Sequence, residues 1–166
     1  MDLSLILDVI TAVAVVTGIL FGLLQLRHYH LSRKRESALF LLSSFQTGEF
    51  FEGVWLIQEL PIGFGKNEIE ERLGEDIRPV HLVMGTWERI GILVYKREIS
   101  IERVDEAYSG PIVFSWQRLE KYVADLRTYL QRETHYEWFQ WLAERMIDRE
   151  EAEPPIPAYV AHRDWE

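Results

Sequence analysis

From Val9 to Leu26 apolar residues fill almost every position, and the run stops at the basic stretch Arg27-His28-Tyr29-His30-Leu31-Ser32-Arg33-Lys34-Arg35. Eighteen residues at about 1.5 Å of rise give roughly 27 Å of helix, close to the hydrocarbon thickness of a bilayer. The pattern predicts one membrane-spanning helix. A cleavable signal peptide carries its positive charge ahead of the apolar region, whereas here Asp2 and Asp8 precede it and the basic residues follow. A core helix of a soluble domain carries a polar stripe, yet between Val9 and Leu24 only Thr11 and Thr17 are polar, and their hydroxyls can bond back to helix carbonyls. Arg27, Arg33, Lys34 and Arg35 form a membrane-surface collar that places the long C-terminal part in the cytoplasm and the N-terminus outside.

Beyond the collar, apolar residues recur at intervals of three and four, the period of a helix with one buried face. Ala38 to Phe45 continue without Gly or Pro until Gly48, which predicts a stalk running on from the membrane helix. A helix over Phe50 to Leu60 ends at Pro61, and the loop Pro61-Ile62-Gly63-Phe64-Gly65 leads to a short helix with Asn67 and Glu70 as its capping box and Gly74 as its stop. Pro79 opens a central helix to about Lys96, with Val80, Val83, Met84, Trp87, Ile90 and Val94 on one face. Ser100 caps a short helix to Tyr108, Ser109-Gly110-Pro111 breaks the chain, and a long helix follows from about Ile112 to Gln131. Thr134 and Glu137 cap a last helix from His135 to about Arg149, its apolar side formed by Trp138, Trp141, Leu142 and Met146. After Glu150, the prolines 154, 155 and 157 predict an extended tail. The expected architecture is all-α: an anchor over residues 1–26, collar and stalk over 27–47, a bundle of about five helices over 48–150, and a tail over 151–166.

Charge and composition narrow the function. Past Arg35 there are 14 Lys and Arg against 25 Asp and Glu, a balance of −11, opposite in sign to the collar. Such a field repels nucleic acid, leaving the collar to meet lipid headgroups. The absence of cysteine excludes disulfides, thiolate nucleophiles and sulfur-ligated metals. Gly63-Phe64-Gly65-Lys66-Asn67 lacks the spacing of a phosphate loop, since Leu60 and Asn67 stand where Gly and Ser or Thr are needed. His28 and His30 point about 200° apart on a helix and cannot share a metal, and His81, His135 and His162 lie on separate elements. No GxSxG or HExxH motif occurs. The acidic runs at 68–75 and 148–153 fit solvated helix faces. No catalytic residue, cofactor or metal is expected.

Two patterns point to association. Ala14, Gly18 and Gly22 recur every four residues and line one face of the membrane helix, a geometry that lets a second helix approach closely. Six Trp, seven Tyr and eight Phe belong mostly to the core, but Trp138-Phe139 and Trp141 stand on a helix too short to bury all of them on one side, and Trp55, Trp138, Phe139, Tyr159 and Trp165 are candidate anchors for a protein partner.

The stretch His81 to Met146, above all Thr86-Trp87-Glu88-Arg89-Ile90-Gly91-Ile92-Leu93-Val94 with Ile99 to Glu106, Trp116 and Arg127, resembles a family of small uncharacterised bacterial proteins that join one N-terminal membrane helix to a helical cytoplasmic domain. The resemblance implies an all-helical fold and a bacterial plasma membrane location, and brings no activity. Glu88, Arg89 and Arg127 stand out as a charged network between two helices. The expected role is a membrane-anchored accessory or scaffold protein, associating with itself or a partner. The alternative is a membrane-tethered effector or enzyme whose site collects His81 or His135 with those charged residues in a cleft.

Overall fold

A computed structural model of the chain describes residues 15–22, 25 and 47–164, with Glu75 by its backbone alone. The chain divides into two compact units, Met1–Phe40 and Leu41–Glu166, and each is described by itself. In the first, residues 15–22 are helical. Among the described residues no helix is long and apolar enough to cross a membrane. Most of the predicted span, the collar and the stalk lie outside the described residues, as do Ala14, Arg27, Arg33, Lys34, Arg35 and Trp165.

The second unit is all-helical over its described residues: α1 Gly48–Glu59, α2 Lys66–Leu73, a 3-10 turn Gly74–Asp76, α3 Ile77–Tyr95, α4 Ile101–Leu130, α5 Glu137–Ala152 and a single turn α6 Ala158–Ala161. Thr47 opens α1 by accepting a hydrogen bond from the Phe50 N–H on its side chain (3.3 Å). Pro79, in the first turn of α3, has no N–H that the helix would miss. All six expected core residues of α3 are buried, and its Trp87 is wholly enclosed, edge-on to Phe50 at 5.6 Å. The helix packs against α1 and α5, while α4 closes the bundle against α5, α1 and α2. Two glycines set those approaches. A Cβ at Gly53 would strike the Pro79 carbonyl, and one at Gly91 the Trp138 carbonyl.

Local signals misplace three boundaries. Ser109-Gly110-Pro111 does not break the chain: Ile101–Leu130 is one helix with Pro111 inside it. Its apolar face runs on through the proline, from Val104 to Ile112, Val113 and Trp116. The stretch just before the proline is also fastened to α5, through Arg149 to Asp105 (2.7 Å) and the Ser109 hydroxyl to Glu150 (2.7 Å). The α2 cap is two residues earlier than expected. Glu68, not Glu70, reaches back, to the Gly65 N–H at 3.0 Å, and Lys66 N–H donates to Asp125 of α4 at 2.9 Å. The last helix starts at Glu137, with Tyr136 in the left-handed region (φ 55°) as its cap, and runs on to Ala152. Its buried residues are Phe139, Leu142, Ala143 and Met146, so Phe139 belongs to the core and is not a partner anchor. It packs edge-on against Trp116 at 5.2 Å. The tail is extended over 153–157 and then makes the α6 turn.

Candidate functional site

Glu88 and Arg127 meet at the start of α5. One Glu88 oxygen accepts a hydrogen bond from the Phe139 N–H at 2.7 Å, so a carboxylate from α3 satisfies a backbone donor that the α5 helix leaves open. Arg127, near the end of α4, donates from Nε to the His135 carbonyl (2.9 Å), from Nη1 to Gln140 Oε1 (2.7 Å) and from Nη2 to the Tyr136 carbonyl (3.4 Å). It thereby pins the turn between Gln131 and Tyr136, both held at positive φ. Burial pushes the Glu88 carboxyl up, against the lowering effect of the Phe139 and Trp138 N–H groups; Glu137 adds to the rise and Arg127 opposes it. Glu88 and Arg127 thus reach the same helix start from different helices, each bound to groups of α5 or the turn before it and not to the other. Arg89 does not join it, because its position on α3 faces solvent.

His81 and Tyr122 form a second polar pair. His81 Nε2 and the Tyr122 hydroxyl, 41 residues apart in sequence, share a hydrogen bond of 2.7 Å, and Tyr122 is wholly buried. Burial lowers the His81 pKa, with Glu70 opposing the shift and His135 adding to it. Burial likewise raises the Tyr122 phenol far above its ordinary value, and the negative charge of Glu70 reinforces it. Burial also lowers His135, helped by Arg132 and Arg127. Both pairs hold helices together. Glu88 is engaged with α5, and Arg127 with the turn before it. Among the described residues no group of three or more His, Asp or Glu is placed to hold a metal ion.

The surface tells more. On α1, Phe50, Gly53 and Ile57 point inward, which leaves Phe51 and Trp55, one turn apart, 63% and 64% exposed. Sequence reasoning picked out Trp55 but missed Phe51, although their spacing of four carries the signal. A second aromatic surface lies where α3 ends beside α5. Tyr95 stacks 4.7 Å from Trp138 and 6.1 Å from Trp141, and the Arg145 guanidinium sits 5.4 Å above the Trp141 ring. Trp138 is half-buried within this group, while Tyr95 is 61% exposed. Only the tertiary packing brings Tyr95 and Trp138 together. Tyr159 is 77% exposed in the tail. In the first unit, Gly18 is exposed and Gly22 half-buried, with open space where a Cβ would stand on either.

No curated protein and no solved structure matches the chain. A family model, the domain of unknown function DUF4760, matches residues 12–146, which covers α1 to α4 and most of α5 and stops before the proline-rich tail. The matched stretch includes Trp87, Glu88, Arg127 and both glycine crossings, and by this match the chain belongs to the DUF4760 family.

Proposed function

We propose that this protein is a single-pass accessory or scaffold protein of the bacterial plasma membrane, which presents an acidic helical interaction domain at the cytoplasmic face. The observation that carries the interaction role is the α1 surface. Phe51 and Trp55 are large, apolar and more than three-fifths exposed on a helix whose other side is fully packed. Buried aromatic anchors dominate the energy of protein interfaces, and two of them one helical turn apart suit a groove or helix on a partner. The side chains of His81, Glu88 and Arg127 are engaged in holding helices, which favours a binding role over catalysis.

The anchor reading rests on the apolar run Val9 to Leu26 and the collar behind it. Val15, Val16, Ile19, Leu20 and Phe21 are each more than half exposed along the helix at 15–22, a surface suited to lipid or to another membrane helix. The domain balance of −11 makes nucleic acid an unsuitable partner. The test is extraction followed by binding. The chain is expected to stay with the membrane pellet in alkaline carbonate and to enter solution in mild detergent. Release by carbonate alone defeats the anchor. Protein association is expected to fall when Phe51 and Trp55 are both changed to Ser, with the helical circular dichroism unchanged.

A further inference from the structure

The charges beside Phe51 and Trp55 are of one sign. Every charged residue of α1 is acidic, and Glu49, Glu52 and Glu59 are all exposed. Among the described residues none of these three carboxylates belongs to an ion pair. Glu49, in the first turn, suits the positive end of the helix dipole. Glu59 is the last residue of the helix, at the negative end of the dipole, with no basic residue in that turn, so its charge works against α1. Glu52 and Glu59 stand three residues before and four after Trp55, which puts both on its stripe of the helix. The neighbouring helices do not supply the missing cations. α3, which exposes Arg78 and Arg89, meets α1 at Gly53, and Phe51 and Trp55 lie about 160° around α1 from that contact. Arg118 of α4 is half-buried and turned onto its own helix, donating to the Phe114 carbonyl at 3.5 Å and lying 5.7 Å from the Phe114 ring.

We propose that the partner segment received by Phe51 and Trp55 is a basic amphipathic helix, its apolar residues seated on the two rings and its Lys or Arg side chains reaching Glu52 and Glu59. This rests on Phe51 and Trp55 being protein anchors and adds the chemistry of what they meet. Two aromatic rings one turn apart match the apolar stripe of a helix, whose anchors recur at intervals of three and four. A cation beside Glu59 is attracted by that carboxylate and by the negative end of the α1 dipole together. Complementary charge of this kind fixes register and suppresses wrong partners. The same carboxylates select against other occupants. A two-fold pair of chains meeting through this face brings α1 against α1, and every charge on both is negative. An anionic lipid surface meets the same repulsion, from a domain whose balance beyond Arg35 is −11.

The probe is a fluorescent synthetic helix of about 18 residues, five turns, with leucines along one face and lysines beside them. It is titrated with the full-length chain in nanodiscs of zwitterionic lipid, and its anisotropy is compared with that in empty nanodiscs. The lysine peptide is expected to bind the native chain at least about tenfold more tightly than the same peptide with glutamates for lysines. Its affinity is expected to fall about tenfold with Glu52→Gln and Glu59→Gln together, and as much with Phe51→Ser and Trp55→Ser. Removing the same charge elsewhere, by Glu98→Gln with Glu144→Gln, should leave it unchanged. All six positions are exposed, and circular dichroism checks each fold. Equal binding of the two peptides, both weakened by the Phe51 and Trp55 changes, overturns the basic partner and leaves the aromatic pair as a protein anchor. Failure of the lysine peptide to bind overturns it too, whereas failure of the aromatic pair as an anchor is read separately, from the proteins that co-purify. Two further results overturn it. Binding equal to that of empty nanodiscs assigns the peptide to lipid, and loss only with the Glu98 and Glu144 changes moves the cation-binding surface to the aromatic group of Tyr95 and Trp138.

Discussion

Glu88 separates two ways a carboxylate can hold a helix, as a negative charge or as an acceptor. Its oxygen lies 2.7 Å from the Phe139 N–H at the start of α5, a place where the helix dipole favours negative charge. Burial opposes that charge and prevails, since the Glu88 pKa is raised despite the two backbone donors and Arg127. A raised carboxyl pKa means that the folded state holds the proton more tightly than the unfolded one. The contribution of Glu88 is therefore fully present below the ordinary carboxylate range and falls as pH rises through the raised value. Two substitutions follow different courses. Glu88→Leu leaves the α5 donors without an acceptor, at a cost of about 2 kcal/mol, within the range for an unsatisfied buried donor or a lost cap. Glu88→Gln keeps an acceptor and removes the charge, so at neutral pH it stays within about 1 kcal/mol of the native chain. Urea unfolding of the full chain, followed by far-ultraviolet circular dichroism at several pH values, measures both. The stability of the native chain relative to Glu88→Gln is expected to decline from acid to neutral pH. If Gln costs as much as Leu at neutral pH and the gap widens as pH rises, the charge holds α5 and the reasoning is wrong.

Other perturbations test other parts. Gly91→Ala drives a methyl into the Trp138 carbonyl and should cost about 1–3 kcal/mol, seen as an earlier thermal transition; an unchanged transition means α3 and α5 pack more loosely than described. Pro111→Ala restores a backbone donor inside the 30-residue α4 and should raise the urea midpoint by about 1–3 kcal/mol of stability, whereas a lower midpoint shows that the helix needs a kink there. His81 should titrate below 6.5 by NMR, chiefly through burial; because its folded pKa is lowered, its contribution is lost as pH falls through that window, and a midpoint above 6.5 contradicts its placement against Tyr122. Gly18→Leu with Gly22→Leu should weaken association in detergent, and unchanged association removes the small-residue face from the account.

What could be read from the chain divides along physical lines. The core face of α3 was legible because period and burial express the same fact, and Val80, Val83, Met84, Trp87, Ile90 and Val94 are all buried. The all-helical class was legible for the same reason. Helix ends were not, wherever their donors are met from elsewhere in the fold. Asp125 of α4 serves Lys66, and Glu88 of α3 serves Phe139, 59 and 51 residues away in sequence. Capping boxes at Asn67 and Thr134 were local patterns with no means of registering those partners. Pro111 misled likewise, since its local cost is outweighed by a continuous buried face and by ties from Asp105 and Ser109 to α5. Of the candidate anchors, Trp55 was named from aromatic density and lies exposed on α1, whereas the burial of Phe139 follows from the rotation of α5. Glu88, Arg89 and Arg127 were grouped by their charge, but that Glu88 and Arg127 serve the same helix start while Arg89 faces solvent is a property of the assembled bundle.

The central claim is that a membrane-held helical domain recruits a protein through Phe51 and Trp55. Quantitative mass spectrometry of what co-purifies from detergent-solubilised membranes tests it most directly, comparing the native full-length chain with the Phe51→Ser, Trp55→Ser variant at matched levels. The account predicts a protein present in fixed proportion to the native chain and depleted about tenfold or more from a variant that keeps its helical spectrum, the loss expected when aromatic anchors worth about 2 kcal/mol are removed. Recovery of the same proteins in the same proportions with both chains contradicts it.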